Sequence, residues 1–324
     1  MTERSALVRR VSVITAIALA ACVQAPEASD ASPDGSAAAD SRPELGTTAR
    51  AIIDGRLEPS DEFAAVGALV YTFPDVGVLD TWCSGTLVAK KAIVTARHCT
   101  PNIDLAIESG LVPAFAIGAD AFNPTQIIPI TGYVNAPPSP DGDGLLLDGG
   151  RDVAVAYLES RPTGVKPAKL GRFEHHMLGD KFTIAGYGVN NPERFYGQRY
   201  SGKVTARAIK GRWYKLLFGD YDTYLEWYFT DSSSPAPNQA EADEWWDIYR
   251  LENKFELLAG GLPGEAIGCY GDSGGPLLKG KRARDLTTYG VSFAVEGTQS
   301  TVCGYGGAYL VFNEKMLDFV KDAL

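Results

Sequence analysis

The chain has 324 residues, of which 45% are hydrophobic and 22% are charged. These values are typical of a globular protein and allow a core large enough for an enzyme. The formal net charge is −10 at pH 7, and the sequence has no basic stretch of the kind that follows a nucleic-acid backbone, so nucleic acid is not an expected partner.

The first 22 residues have the features of an export signal. Arg9 and Arg10 precede an apolar run, residues 11–21, which is too short to cross a bilayer as a helix. The run leads into the letters LAAC, ending at Cys22, which resemble the bacterial lipoprotein box. The resemblance implies that residues 1–21 are removed and that the lipidated Cys22 is the only membrane attachment. An ordinary signal peptide with an incidental cysteine is the alternative.

Residues 22–51 have the composition of a flexible tether or propeptide. After Val23 the stretch is rich in Ala, Ser, Pro and Asp and has almost no large apolar side chain, so it cannot bury enough surface to fold. Apolar stretches recur from Ile52 onward. We therefore expect the folded domain to cover residues 52–324.

The chain contains five cysteines. Lipidation of Cys22 would leave an even number, which suits disulfide bonds in an oxidising compartment. The other four are Cys83, Cys99, Cys269 and Cys303. They allow three pairings, between which the sequence alone does not choose.

The body of the chain has the pattern of an all-β protein. Short β-branched or aromatic runs, such as residues 68–73, 181–188 and 287–295, alternate with Gly, Pro and Asp. Alternating helices and strands are not indicated. Only residues 313–324 have clear helical spacing. Asn313 is placed as the N-cap of this helix, and the side chains that share one face are Met316, Phe319, Val320 and Leu324.

Two acidic stretches interrupt this pattern. Residues 136–151 form a turn-rich loop whose spacing matches no calcium loop, so we expect an acidic surface loop and no metal site. Its aspartates are Asp141, Asp143 and Asp148. Residues 231–256 form a longer insertion with Trp245 and Trp246, which we expect to be an ordered surface loop with a short helix. Contact of this insertion with substrate is the less favoured alternative.

His98 is the candidate general base among three histidines. The apolar run AIVTA, residues 92–96, leads into the motif TARHC, residues 95–99, which contains this histidine. A strand end of this kind can hold an imidazole in a fixed position. His175 and His176 lie in the charged stretch GRFEHHMLGDK and are interpreted as solvated loop residues. The candidate acid is Asp152, at the head of the apolar strand DVAVAYL.

Ser273 is the candidate nucleophile, in the stretch GCYGDSGGPLL of residues 268–278. This stretch also satisfies the G-x-S-x-G elbow of α/β-hydrolases. In that class the histidine follows the serine, and no histidine follows Ser273, so the α/β-hydrolase alternative lacks a base. A serine nucleophile needs a base, and that base needs an orienting carboxylate. With His98 and Asp152 both preceding Ser273, we expect Asp152 to orient His98, which activates Ser273.

The sequence around these residues resembles the trypsin/chymotrypsin family of serine proteases. TARHC is similar to the family's Thr-Ala-Ala-His-Cys, with Arg97 as a departure, and DVAV is similar to its Asp-Ile-Ala-Leu. WCSGTLV, TIAGYGVN, GVSFAVEG and GGAYLVF agree as further landmarks, so the similarity covers residues 52–324. It implies two six-stranded antiparallel β-barrels with a C-terminal α-helix, and a cleft between the barrels.

The resemblance also implies roles for further residues. The disulfides would be Cys83–Cys99 and Cys269–Cys303, and the N–H groups of Gly271 and Ser273 would form the oxyanion hole. The specificity pocket would be formed by Ile267, Ser292, Phe293, Ala294 and Gly307. Trypsin has an aspartate where this chain has Ile267, so we expect a medium-sized apolar residue before the cleaved bond. No cofactor or metal is implied.

Residues 52–55, IIDG, resemble the family's mature N-terminus, usually Ile-Val-Gly-Gly. The resemblance implies a zymogen, in which another protease cuts after Ala51 and the new amine of Ile52 pairs with Asp272. Both implied disulfides lie beyond this cut, so we expect activation to release the catalytic domain from the cell envelope.

The predicted protein is thus an exported, monomeric serine endopeptidase that acts on protein or peptide substrates. A non-catalytic binding module at the cell surface and an esterase of the same fold are the alternatives.

Overall fold

The computed structural model describes residues 50–52, 55–73, 76–139, 145, 151–191, 195–232, 234–280, 285–295 and 303–324. All of them belong to a compact unit, residues 48–324. The predicted export signal, Cys22 and Asp141, Asp143 and Asp148 lie outside the described residues. Within the part described, no helix is long and apolar enough to span a membrane.

The described residues form mostly short strands, as the all-β pattern predicts. In chain order the strands are β1 Arg50–Ala51, β2 Arg56–Leu57, β3 Val66–Phe73, β4 Gly77–Ala89, β5 Ala92–Thr95, β6 Val112–Ile117, β7 Gln126–Asn135, β8 Ala154–Leu158, β9 Lys169–Leu170, β10 Lys181–Gly186, β11 Asn190–Asn191, β12 Tyr200–Ala208, β13 Gly211–Arg212, β14 Arg250–Leu251, β15 Glu256–Ala259, β16 Pro276–Lys279, β17 Thr287–Val295 and β18 Gly307–Val311.

Helices are fewer. They are α1 Pro101–Glu108, α2 Trp213–Phe218, α3 Tyr221–Thr230, α4 Gln239–Ile248 and α5 Glu314–Asp322, together with 3-10 helices at Asp61–Phe63, Arg97–Cys99 and His175–Met177.

The first barrel is closed by antiparallel pairing in the order β3-β4-β5-β8-β7-β6. Its interior is filled by apolar side chains, as a barrel of this size requires. The ring of Phe115, on β6, is fully buried and lies against the neighbouring strand β3. A Cβ at Gly67, on β3, would lie 2.5 Å from that ring, so glycine is required where β3 passes Phe115.

The second barrel is a ring of six strands in the order β10-β16-β17-β18-β15-β12, closed by pairing of β10 with β12. Strand β2 extends it beside β12, and β9 pairs with β17 in parallel. The two antiparallel barrels expected from the sequence are therefore confirmed.

Helix α5 follows the second barrel and begins as predicted. The Asn313 side chain accepts a hydrogen bond from the Met316 N–H at 2.9 Å, which caps the first turn. Met316 and Val320 are fully buried. The helix ends at Asp322, and Leu324, expected on the same face, is 49% exposed.

Helices α2, α3 and α4 form a helical insertion between β13 and β14 that the sequence analysis largely missed. A short helix was expected only after Asp231, whereas α2 and α3 precede that residue. The short helix expected after Asp231 is present as α4, whereas α1, α2 and α3 were not predicted. The three helices are short, and their aromatic rings pack against one another: the Tyr214 ring lies 4.8 Å from that of Tyr224 and 5.6 Å from that of Trp227. Such aromatic packing leaves no simple apolar stripe in the sequence.

Both implied disulfides are present. Cys83, on β4, is bonded to Cys99 in the 3-10 helix after β5, and the Cα atoms are 6.2 Å apart. Cys269 is bonded to Cys303, with Cα atoms 5.5 Å apart. The first bond holds the His98 segment to β4, and the second holds the segment before Ser273 to the segment before β18.

Candidate active site

His98 is held by Asp152 through two hydrogen bonds. The Asp152 Oδ1 atom accepts the backbone N–H of His98 at 2.9 Å, and Oδ2 lies 2.6 Å from the ring Nδ1. Asp152 is 2% exposed, whereas the His98 side chain is 38% exposed. A buried carboxylate thus fixes both the backbone and the ring of a partly exposed histidine.

This pairing prepares the imidazole to accept a proton. An Nδ1–H group that donates to Asp152 leaves the Nε2 atom as the acceptor. Desolvation lowers the pKa of His98, whereas the charge of Asp152 and its hydrogen bond raise it, and the net effect is a raised pKa. The pair therefore has the chemistry of a general base with an orienting carboxylate.

The Ser273 turn lies against the strand that leads to His98. The backbone oxygen of Ser273 accepts the N–H of Ser84 at 2.8 Å and lies 3.8 Å from the Sγ atom of Cys99. At Gly274, which has φ +82°, a Cβ would collide with Thr95 and with the backbone of Ser84. The absence of a side chain at Gly274 lets the second barrel place Ser273 beside the His98 segment of the first.

Ser84 is a site residue that the sequence analysis missed. Its fully buried Oγ atom donates to the Gly271 oxygen at 2.9 Å and accepts the N–H of Tyr187 at 3.0 Å. Its backbone oxygen accepts from Thr95 Oγ1 at 2.9 Å. The position of Ser84 directly after Cys83, in the stretch WCSGTLV, was the available signal, because a buried hydroxyl needs partners.

The backbone around Gly271 is anchored on both sides. The Tyr270 oxygen accepts the Val189 N–H at 2.7 Å, and the Gly271 oxygen is held by Ser84. Gly271 has φ +92°, which favours glycine. Among the described residues, no oxygen accepts from the N–H groups of Gly271 or Ser273. These two donors can serve an anionic oxygen.

Asp272 is a buried carboxylate, 3% exposed, with two backbone donors. The N–H groups of Gly188 and Cys269 each donate to it at 2.8 Å. Burial nevertheless raises the pKa of Asp272 to about 7, although the two hydrogen bonds lower it. No cation of the described part of the chain pairs with it.

Asp272 and Ile52 line the same small cavity of about 10 Å³. Ile52 is fully buried and has φ +48°, a strained value for a β-branched residue. Ser292 and Tyr309 line the cavity as well. The expected partners Ile52 and Asp272 are therefore neighbours even in the uncut chain.

The expected pocket residues lie mainly on β17 and β18. Ala294 pairs with Ala308, and Gly307 pairs with Val295. Ser292 is joined through its backbone to Gly274 and Gly275, at 2.7 and 2.8 Å. This places the expected pocket wall directly beside the Ser273 turn.

Phe293 and Ile267 differ in their surroundings. Phe293 is 4% exposed and packs in the hydrophobic core, at an irregularity in the pairing of β17 with β18. Ile267 is 8% exposed but belongs to neither hydrophobic core cluster.

A metal site is not supported by the one close group of possible ligands found among the described residues, Cys83, His98 and Cys99. Its two cysteines are bonded to each other and cannot act as thiolate ligands. His175 and His176 are exposed, and His176 Nδ1 lies 3.3 Å from Glu174.

Comparison with known proteins agrees with this geometry. The family model described as Trypsin matches residues 52–215, about half of the chain. A curated protein described as a trypsin-like protease, from Streptomyces glaucescens, is 25% identical over 254 residues, which cover 77% of this chain and 76% of that protein.

Solved structures show the same fold. The structure called GrC is matched with a TM-score of 0.53 and 19% identity, over 83% of this chain and 98% of that one. Neuropsin, a serine protease expressed in the limbic system of mouse brain, is matched with a TM-score of 0.53 and 19% identity, over 83% of this chain and 99% of that one.

Proposed function

Because the chain belongs to the trypsin family of serine proteases, we propose that it is a serine endopeptidase whose catalytic residues are His98, Asp152 and Ser273. The observation that carries this proposal is the pairing of His98 Nδ1 with the buried Asp152 at 2.6 Å, beside the Ser273 turn. The substrate class is protein or peptide, and no cofactor takes part.

The chemistry follows from these positions. His98 Nε2 removes the hydroxyl proton of Ser273 as the oxygen attacks a peptide carbonyl, and it returns a proton to the leaving amine. Asp152 stabilises the imidazolium and stays ionised. The N–H groups of Gly271 and Ser273 stabilise the oxyanion, and loss of one such donor typically costs about 100- to 1,000-fold in rate. Water then hydrolyses the acyl-enzyme.

The specificity proposal rests on Ile267. An apolar side chain at the base of the pocket cannot pair with the cation of Lys or Arg, whose burial without a partner is costly. Ser292, Ala294 and Gly307 line the wall, with Phe293 contributing through its backbone. We expect cleavage after a medium-sized apolar residue, and a peptide-library profile dominated by Arg and Lys would contradict this.

Activation by proteolysis is supported by the surroundings of Asp272. A buried carboxylate with a raised pKa and no cation among the described residues gains from a positive partner. Cleavage after Ala51 by another protease converts the backbone nitrogen of Ile52, a residue that already lines this cavity, into such an amine. Because both disulfides lie beyond the cut, cleavage would also separate the domain from a lipidated Cys22.

The test is covalent labelling of the purified protein with a serine-reactive phosphonate, before and after proteolysis at Ala51. We expect one label per molecule in the cut protein, less label in the uncut protein and none in Ser273→Ala. Ser232→Ala is the matched control, because Ser232 is also buried and lies in the helical insertion. Undiminished labelling of Ser273→Ala would contradict the role of Ser273 as the nucleophile.

A further inference from the structure

Arg151 is a buried cation next to the proposed orienting carboxylate. It directly precedes Asp152 and is 4% exposed. Its Nη2 atom donates to Glu252 Oε1 at 3.1 Å, and its guanidinium carbon lies 3.8 Å from the centre of the Phe255 ring. Arg151 thus contacts Glu252 and Phe255, which lie between β14 and β15. Asp152, the next residue after Arg151, leads into β8 of the first barrel.

Glu256, the first residue of β15, holds Glu252, the partner of Arg151, in place. It is 1% exposed, and its Oε2 atom accepts the backbone N–H of Glu252 at 2.7 Å, which fixes the partner of Arg151. Both of its oxygens also lie within hydrogen-bond distance of the Leu145 N–H, at 3.1 and 3.2 Å. Leu145 belongs to the loop that leads to Arg151.

The described residues Ser139, Leu145 and Arg151, which precede Asp152, therefore contact the segment from Glu252 to Glu256. Ser139 Oγ, earlier in the loop, donates to Glu252 Oε1 at 3.2 Å. The acceptors are Glu252, directly after β14, and Glu256, the first residue of β15, where the chain returns from the helical insertion. Such a buried charge network is costly to assemble and adds little to stability by itself. Its place beside Asp152 points to a role in the site.

We propose that Arg151, Glu252 and Glu256 form a buried latch that positions Asp152 against His98, so that the return segment of the helical insertion helps to set the activity of the site. We call these three side chains the carboxylate latch. They are positioning residues, because they act through Asp152. The inference rests on the proposed function in one respect: the pair that the latch positions is taken to be the catalytic pair.

The decisive measurement is the pKa of His98 by NMR titration, which needs no catalytic activity. Only three histidines are present, and the exposed His175 and His176 are internal references. Removing the cation alone, as in Arg151→Met, would raise the pKa of His98, because a nearby positive charge opposes imidazolium formation. Displacement of Asp152 from His98 would instead lower the pKa of His98, because the charge and hydrogen bond of Asp152 raise that pKa. The proposal expects a fall of about one unit.

A rate measurement on an enzyme active in the labelling test adds a second readout. Arg151→Met should lower kcat per titrated site by about 100-fold, as small displacements of catalytic groups do, with KM unchanged within about 2-fold. Arg151→Lys should recover part of both effects. Unchanged kcat per titrated site, with an unchanged or raised pKa of His98, would overturn the proposal.

The matched control is Lys279→Met. Lys279 also pairs with a carboxylate, Asp180, and lies 4.7 Å over a ring, that of Phe182. It should leave kcat per titrated site and the pKa of His98 unchanged. If Arg151→Met fails to fold, Glu256→Gln carries the same test with a smaller expected fall. Should the wild type fail to label, the proposed function fails, while the His98 titration still decides the latch.

Discussion

Two buried arginines join the barrels, and they do so by different chemistry. Arg199 is 1% exposed, and its acceptors among the described residues are all neutral: the backbone oxygens of Gly118, Glu58, Ser60 and, at 3.5 Å, Val66, and the Tyr187 hydroxyl. Arg151 instead donates to the carboxylate of Glu252. Carbonyl oxygens do not change charge with pH, whereas carboxylates do. We therefore infer that Arg199 stabilises the fold, whereas Arg151 positions Asp152.

The largest effect is expected from Arg199→Met. It removes a fully buried guanidinium and the donor to the Glu58 and Ser60 oxygens, so the free energy of unfolding should fall by about 3 to 5 kcal/mol. Urea unfolding of the disulfide-bonded protein measures this. Arg212→Met, which breaks the exposed pair with Asp247, is the control and should cost less than about 1 kcal/mol. A large fall in kcat per titrated site for Arg199→Met would contradict the inference that Arg199 acts on stability alone.

An intermediate effect is expected from the pH dependence of the latch. Burial raises the pKa of Glu256 from 4.5 to about 7, the charges of Glu252 and Asp152 adding to the effect while backbone hydrogen bonds oppose it. Between these two pH values the unfolded chain loses a proton that the folded chain keeps, so stability present below pH 4.5 is lost as the pH rises through about 7.

Glu256→Gln removes this titration. Its free energy of unfolding should fall less than that of the wild type between pH 4.5 and pH 7.5, by about 3 kcal/mol. Urea titrations at the two pH values measure the change, with the exposed Glu244→Gln as control. Asp272 has a raised pKa as well and titrates in both proteins. An identical pH dependence in Glu256→Gln and wild type would contradict the assignment.

The smallest effect is expected from Ser84→Ala, at a neutral contact between the barrels. Loss of its buried hydrogen bonds should cost about 1 to 2 kcal/mol of stability and lower kcat by about 10-fold, or about 1.4 kcal/mol, because the Gly271 peptide loses its anchor. Thr72→Val is the matched control, since Thr72 donates one hydrogen bond to the Val112 oxygen, at 2.9 Å. Equal kcat in both variants would show that Ser84 does not orient Gly271.

The sequence predicted the parts of the molecule that are encoded locally. The runs before His98 and after Asp152 are strands, and Asn313 caps the last helix, because each is specified by a few adjacent residues. Both disulfides followed from the family resemblance. Helices α2 and α3 of the insertion were missed because their aromatic residues follow no single apolar face. The contact of Arg151 with Glu252 spans 101 residues of sequence, so no local pattern reveals it.

Helix α5 has a consequence for the order in which the molecule can be completed. The hydroxyl of Tyr157, on β8, donates to the backbone oxygen of Ala323 at 3.0 Å, across 166 residues of sequence. Chains are made from the N-terminus, and early domains usually fold first during synthesis. Here one contact of β8 in the first barrel can form only after residue 323 has been made. We therefore expect that removal of α5, which is made late, weakens the packing of β8, which is made early.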